Sequence, residues 1–533
     1  MKNRGVFRKN KDKHDLKARF RKEFAPENIK VYLLFINDKT KGLFLMDSLN
    51  SLKGRNLTML VDFYEMTMAN GYLKNGMGDT VAYFDMFFRK VPDGGGYVIM
   101  AGVEQLCEYL KGLKFTPEDI EYLRGRGFSE EFLDYLADFK FSCDVYAVPE
   151  GTPIFPGEPI VTVKGPIMQA QFVETMVLLC INHQSLIATK ANRIVRAAQG
   201  RPIMEFGSRR AQGFDAAIYG ARAAYIGGCA GTACAVSDIM FGVPALGTMA
   251  HSWVQLFDTE LEAFCAYARE YPDNCVLLVD TYNALKSGVP NAIEAFKREL
   301  LPRGYRPKGI RFDSGDIAYL SRKARKMLDE AGFEDCTIVA SNSLDEYLIR
   351  DMIGQGARVD SFGVGERLIT SSSSPVLGGV YKLCAVEKDG KICPRIKISD
   401  NVAKISTPCF KKPWRLFDRE TGKAIADLVT LNNEVVDDTK PYELFDPDFT
   451  WKRKIVENYV AKPLTVQLFK DGECVYECPP LDEVKKHCAE QIDTLWDEVL
   501  RFDNPHNYYV DLSQKLWDEK QRLLAEHGKK DEQ

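Results

Sequence analysis

The chain has 533 residues, of which 45% are hydrophobic and 27% charged, with a formal net charge of −4. That length holds about two or three domains around a large buried core, and so small a charge excludes a whole-molecule nucleic-acid or membrane surface, which needs a concentrated basic excess. Fourteen cysteines, many in apolar segments such as Leu178-Leu-Cys-Ile181, follow no secretory signal, and no uninterrupted apolar run is long enough to span a bilayer, so reduced thiols in the cytoplasm are expected.

Residues 2–22 hold ten basic and two acidic side chains with no periodic apolar face, which reads as a disordered basic leader over 1–45. Its clustered lysines and scarce serines fit a transit peptide poorly. A native start at Met46 is the alternative, because ordinary globular patterning begins just beyond it, at Leu57. A helical and small β N-terminal domain is expected over 46–199, with helices over 62–73 and 102–113 and Tyr97 and Met100 in its core. The run Cys143-Asp-Val-Tyr-Ala-Val-Pro-Glu-Gly-Thr-Pro-Ile-Phe-Pro-Gly-Glu-Pro-Ile-Val-Thr-Val163 alternates like short strands punctuated by glycine and proline. A helix over 169–199 leads out of it.

Between 200 and 385 short β-branched runs end abruptly in polar, charged or glycine residues. Val243-Pro-Ala-Leu246 delivers Gly247-Thr-Met-Ala-His-Ser-Trp253; Cys275-Val-Leu-Leu-Val279 ends in Asp280-Thr-Tyr-Asn283; Thr337-Ile-Val-Ala340 ends in Ser341-Asn-Ser343; Val359-Asp-Ser-Phe362 ends in Gly363-Val-Gly365. Ile310 precedes Arg311 and Asp313 in the same manner. Stretches with helical spacing over 287–301, 317–331 and 344–354 have the length of crossovers. Repeated βα units build a parallel sheet, and closed on themselves they form a barrel whose strand C-terminal ends share one mouth. Beyond 385 a C-terminal subdomain holds hairpins, one turning at Lys470-Asp-Gly472, and a polar amphipathic helix ending near Glu526.

At such a mouth the residues fit a phosphorylated sugar. Gly363 and Gly365 allow close backbone approach to a phosphate, or simply form a tight turn. Asp280, Asp313 and Asp316 are suited to ribose hydroxyls or hydrated magnesium, whereas helix capping is the structural alternative for Asp316 and Asp345. Arg209, Arg210 and Arg311 adjoin apolar strands and need a partner, either an anion or an internal carboxylate such as Glu205. His251 as a nucleophile needs one neutral nitrogen aimed by a hydrogen bond to the other, for which Ser252, Thr248 or a nearby carboxylate are candidates.

Together, Val61-Asp-Phe-Tyr-Glu-Met-Thr-Met68, Glu205-Phe-Gly-Ser-Arg-Arg-Ala-Gln-Gly213, Gly247-Thr-Met-Ala-His-Ser252, Asp280-Thr-Tyr282, Gly309-Ile-Arg-Phe-Asp-Ser-Gly-Asp316 and Leu377-Gly-Gly-Val-Tyr-Lys-Leu383 resemble the nicotinate phosphoribosyltransferases, a type II phosphoribosyltransferase family. The resemblance implies an irregular α/β barrel of the type II phosphoribosyltransferase kind. It also implies the formation of nicotinate mononucleotide and pyrophosphate from nicotinate and phosphoribosyl pyrophosphate for NAD biosynthesis, with magnesium and coupled ATP hydrolysis. On that likeness His251 is the histidine that ATP phosphorylates. Phe206 covers one face of the pyridine ring, and Tyr64 of a neighbouring subunit covers the other, which implies a homodimer with shared sites. Arg209 and Arg311 face the nicotinate carboxylate or phosphates, with Thr248 beside the substrate. Asp280 and Asp313 serve the base and ribose, and Gly363 and Gly365 the 5′-phosphate.

Two positions depart from relatives. Glu366 stands where threonine is common beside the phosphate loop, so its carboxylate is expected to turn away or meet magnesium. Ala230 replaces an aspartate found in the nicotinamide-using branch. The competing readings are a nicotinamide phosphoribosyltransferase, a sugar-phosphate barrel isomerase or aldolase, for which a convincing lysine or carboxylate pair is missing, and a non-catalytic binding protein, which has no use for His251. Cys474, Cys478, His487 and Cys488 have poor tetrahedral spacing and read as ordinary thiols and an imidazole rather than a metal site.

Overall fold

The computed structural model describes residues 55–401 and 404–528. The chain divides into Met1–Arg55 and Asn56–Gln533, and every described element lies in the second unit. The basic leader and the Met46 start expected from the sequence fall outside the described residues.

The N-terminal helix α1 (Phe63–Lys74) starts at Asp62, matching the patterned stretch 62–73. The glycine- and proline-punctuated run supplies strands Asp144–Ala147 and Val161–Pro166. They join a seven-stranded antiparallel sheet with Val81–Phe87, Val380–Lys388 and Lys391–Pro394 on one side and the hairpin Val466–Lys470 and Glu473–Cys474 on the other. Side chains far apart in sequence therefore meet across one sheet.

Helix α2 (Glu174–Ala197) follows Ile167–Phe172 after a break at Val173. Together, residues 167–197 are long and apolar enough by length and mean hydropathy to cross a membrane, although polar residues interrupt them, and 72% of the most apolar window is buried inside the fold. The reason is position. Val177, Ile181 and Leu186 pack into the core beneath the antiparallel sheet, whereas Ile187, Ala191 and Ile194 pack into the core of the parallel sheet. A helix buried on more than one face is what two cores require, and its buried Lys190 and Arg193 are paired with Glu346.

The second sheet is parallel, with strands β1 (Ile203–Glu205), β2 (Gly231–Thr232), β3 (Val276–Leu278), β4 (Gly309–Phe312), β5 (Thr337–Ser341) and β6 (Ser361–Val364) in the order β2-β1-β6-β5-β4-β3. Ile310, Phe312, Ile338, Ala340, Phe362 and Val364 are fully buried, as strands covered on both faces demand. The crossovers include α3 (Phe214–Ile226), α4 (His251–Gln255), α5 (Ile317–Glu330) and α6 (Glu346–Gly354). Among the described residues no ladder joins the edges β2 and β3, so strand pairing does not itself close the expected barrel. The run Val243-Pro-Ala-Leu246 gives no strand; only Ala245 bridges Thr232, because Pro244 cannot donate to a ladder. The helix expected over 287–301 is α-helical only at Val289–Ala295, with π turns at Ala284–Gly288 and Phe296–Leu300. Pro290 has no N–H to bond the carbonyl four residues back, so the α ladder does not run on from the preceding turn.

Candidate active site

In a parallel sheet all strands end on one edge, and there the chain gathers its polar residues. Arg311 and Asp313 lie two apart along β4 and its extension, so both point to one face. The guanidinium donates from Nη2 to Asp313 Oδ1 at 2.9 Å, from Nη1 to Thr248 Oγ1 at 3.2 Å and from Nε to Ser341 Oγ at 2.9 Å. Asp280, after β3, accepts the backbone N–H of Asp313 and the Ser314 hydroxyl on Oδ2, both at 2.7 Å, and its Oδ1 is buried with no hydrogen-bond partner. A buried carboxylate oxygen left open is costly unless a ligand hydroxyl or hydrated cation meets it.

His251 opens α4 with its side chain 39% exposed. Its Nδ1 lies 3.1 Å from Thr281 Oγ1 and its Nε2 lies 3.9 Å from Asp313 Oδ2. The partner is thus Thr281, not Ser252 or Thr248, because the loop after β3 runs beside the start of α4 while Thr248 turns to Arg311. A carboxylate, Asp313, stands near the other nitrogen. Thr248 also lines a cleft of about 450 Å³ walled by Met249, Trp253, Tyr267 and Tyr271.

Phe206 follows β1, and the Arg311 Cζ sits 5.6 Å from its ring centroid, a cation–π distance. The preceding Glu205 is fully buried and accepts from the Gly207 N–H and, at 2.6 Å, from Thr232 Oγ1. Burial pushes its carboxyl up, and those two donors oppose the shift. Gly363 lies within β6 rather than in a loop after it, as the sequence suggested; the strand runs on to Val364 because Phe206 N–H pairs with the Val364 carbonyl at 2.8 Å. Gly365 alone leads into the short helix Glu366–Ile369.

The other nominated residues are placed as follows. Arg209 is exposed and has no ion-pair partner among the described residues. Arg210 stands 3.7 Å from Glu366, both exposed, so the internal carboxylate beside Arg210 is Glu366 and not Glu205 or an aspartate. Asp316 and Asp345 cap α5 and α6, accepting from Tyr319 N and Leu348 N, which makes capping their role. Tyr64, on α1, is 44% exposed; burial, with the nearby Glu174 carboxylate adding to it, pushes its hydroxyl up. Cys474, Cys478 and Cys488 are free thiols and His487 lies 3.1 Å from Thr152 Oγ1, and among the described residues no group of three or more His, Cys, Asp or Glu side chains converges as a metal site would.

Known proteins resemble this chain in sequence and fold. Family models described as the nicotinate phosphoribosyltransferase (NAPRTase) N-terminal domain, the NAPRTase family and the NAPRTase C-terminal domain match residues 59–182, 202–424 and 410–520. A nicotinate phosphoribosyltransferase of Bacillus subtilis is 42% identical over 477 residues, spanning 89% of this chain and 96% of its own length. The chain belongs to the nicotinate phosphoribosyltransferase family. A relative of that name from Dictyostelium discoideum is 35% identical, with 89% of each chain covered. The crystal structure of human nicotinic acid phosphoribosyltransferase aligns with a TM-score of 0.77 at 28% identity over 87% of this chain and 99% of that one. A nicotinate-nucleotide pyrophosphorylase from Pyrococcus furiosus, 24% identical with a TM-score of 0.63, shares the fold. Membership of the nicotinate phosphoribosyltransferase family removes the isomerase and aldolase reading.

Two residues at this edge escaped sequence reasoning. Thr281 stands beside Asp280 in a quoted motif, and its hydroxyl was the available signal. Ser341 ends a recognised run, but nothing in its spacing reveals that it meets Arg311.

Proposed function

We propose that this chain joins nicotinate to phosphoribosyl pyrophosphate, forming nicotinate mononucleotide and pyrophosphate with coupled ATP hydrolysis. The observation that carries the reading is the meeting of His251, Arg311, Asp313 and Asp280 at one sheet edge, with the Phe206 ring beside the guanidinium. A planar base packs on Phe206, and Arg311, with two N–H groups not spent on protein, meets its carboxylate or a phosphate. Asp280 Oδ1 accepts a ribose hydroxyl.

Cleavage at the anomeric carbon leaves positive charge on ribose and negative charge on diphosphate, so stabilisation is chiefly electrostatic. The pyridine nitrogen brings its own lone pair and needs no base. Magnesium, when bound with the diphosphate, neutralises the leaving charge, and the open Asp280 Oδ1 fits it through water. His251 takes the phosphoryl group of ATP, with Thr281 orienting the ring. Arg209, exposed and without an ion-pair partner among the described residues, and the end of β6 from Gly363 to Gly365 receive the phosphates.

A homodimer is part of the reading. Leu60, Phe63 and Tyr64 leave an apolar face exposed at α1, and Tyr64 covers the base in the neighbouring subunit. The fourteen free thiols fit a reducing cytoplasm. The domain partition 46–199, 200–385 and 386–533 is kept as a working division, although the antiparallel sheet draws strands from all three. Purified protein given nicotinate, phosphoribosyl pyrophosphate, magnesium and ATP should release pyrophosphate; equal turnover of nicotinamide overturns the assignment. His251→Ala should fold and lose ATP coupling.

A further inference from the structure

Ser341 is the last residue of β5 and is only 3% exposed. In the parallel pairing of β4 with β5, Val339 stands opposite Arg311. Ser341, two residues past Val339, and Asp313, two past Arg311, therefore share one face. The Ser341 hydroxyl accepts from Arg311 Nε at 2.9 Å and donates to Asp313 Oδ1 at 2.5 Å, with the Phe312 carbonyl 3.2 Å away.

One hydroxyl thus ties the cation to its carboxylate. Arg311 Nε carries a single N–H, and with Nη2 on Asp313 and Nη1 on Thr248 the fork is held along three edges. Removing Ser341 Oγ leaves a mostly buried N–H without a partner and takes a donor from Asp313. The chain spends backbone strain just here: Asn342 and Ser343, neither of them glycine, sit at φ 82° and φ 51°, with Ser343 Oγ donating to Asn342 Oδ1 at 3.0 Å. Successive left-handed residues are unfavourable and persist where surrounding structure imposes them, commonly at functional sites. The turn ends β5 at Ser341, so the hydroxyl stays in the sheet register that reaches Arg311.

We propose that Ser341 is a positioning residue of the active site, holding Arg311 and Asp313 as one rigid unit beside Phe206. The inference rests on the function proposed above. It assigns Ser341 no contact with substrate; the hydroxyl acts through the guanidinium.

The test compares Ser341→Ala and Ser341→Thr in the full-length protein. Misplacing a substrate-orienting group costs about ten- to a hundredfold in rate, so Ser341→Ala should lower kcat/KM for nicotinate by about that factor while the protein stays folded at the assay temperature, its melting temperature falling only modestly. Ser341→Thr, which keeps the hydroxyl, should recover to within about threefold of wild type. Solvent exchange of the Arg311 Nε–H, followed by NMR on arginine-labelled protein without substrate, should quicken about tenfold in the alanine variant as its acceptor is lost. Unchanged kinetics or unchanged exchange in Ser341→Ala overturns the inference, as does a rate loss that tracks a loss of folded protein in both variants. A wild type that releases no nicotinate-dependent pyrophosphate overturns the functional reading and this one with it; an active wild type with an indifferent alanine variant overturns this one alone.

Discussion

A Cβ on Gly363 would stand 2.5 Å from Cδ2 of the Phe206 ring. The glycine therefore makes room for the aromatic face on which the base is proposed to pack, and only a shift of the ring or of β6 admits a methyl group. Overpacking of this kind costs about 1–3 kcal/mol. Gly363→Ala should fold, melt at a lower temperature and lose kcat/KM for nicotinate by about tenfold or more, since the ring leaves its position. Normal nicotinate kinetics in that variant would show that Phe206 is not the packing surface.

Thr281 is the hydrogen-bonding neighbour of His251 Nδ1. Thr281→Val keeps the shape and removes the hydroxyl, freeing the imidazole to rotate. The stimulation of turnover by ATP should fall by about tenfold, while turnover without ATP changes little. Stimulation equal to wild type would place the orienting group elsewhere, with Asp313 the remaining neighbour.

How much of this was legible beforehand differs by level. The βα alternation after 200 was visible because buried parallel strands are continuous apolar runs, and the stretches 317–331 and 344–354 did become α5 and α6. Asp316 and Asp345 were readable as caps from their place ahead of each helix. The partners of Arg311 were not, since Ser341 and Asp313 come from two strand ends that only pairing register brings together, and Thr248 comes from the loop ahead of α4. Gly363 looked like a phosphate-loop glycine because sequence shows missing side chains but not the ring that fills the gap. The helix α2 was legible as a helix, but not that its apolar residues serve two cores, which is a tertiary fact.

Arg222, on α3, is 1% exposed and lies 2.6 Å from Glu104 Oε2 and 2.7 Å from Glu150 Oε2. Burial pushes the Glu150 carboxyl up, but the Arg222 guanidinium and the N–H groups of Gly102 and Val103 outweigh it and hold the group below its ordinary range. Its contribution is present above the unfolded carboxyl range and lost as pH falls through the lower, folded one. Removing the cation leaves the buried Glu150 carboxylate without its ion-pair partner. Arg222→Ala should cost about 3–5 kcal/mol in denaturant unfolding at neutral pH, and a loss under about 1 kcal/mol would mean that water reaches the acids.

Glu65 gives the opposite sign. Its side chain on α1 is buried, Oε2 has no partner, and burial pushes the carboxyl up to about 8. Thr175 Oγ1, donating to Oε1 at 2.6 Å, opposes the shift, while the carboxylates of Glu174 and Asp62 add to it. The folded chain therefore holds a proton that the unfolded chain, with its ordinary carboxyl, releases in mild acid. Stability from this group is full below the unfolded value and declines as pH rises toward and through about 8. Glu65→Gln keeps the neutral shape at every pH and should flatten that decline, so its melting temperature should overtake wild type as pH climbs past 8. Tyr64 is the adjacent residue on the same helix, so loosening of α1 in alkaline wild type should also reach the proposed shared site. Melting curves for the two proteins that stay parallel from pH 6 to about 9 would show that Glu65 is ionised in the fold.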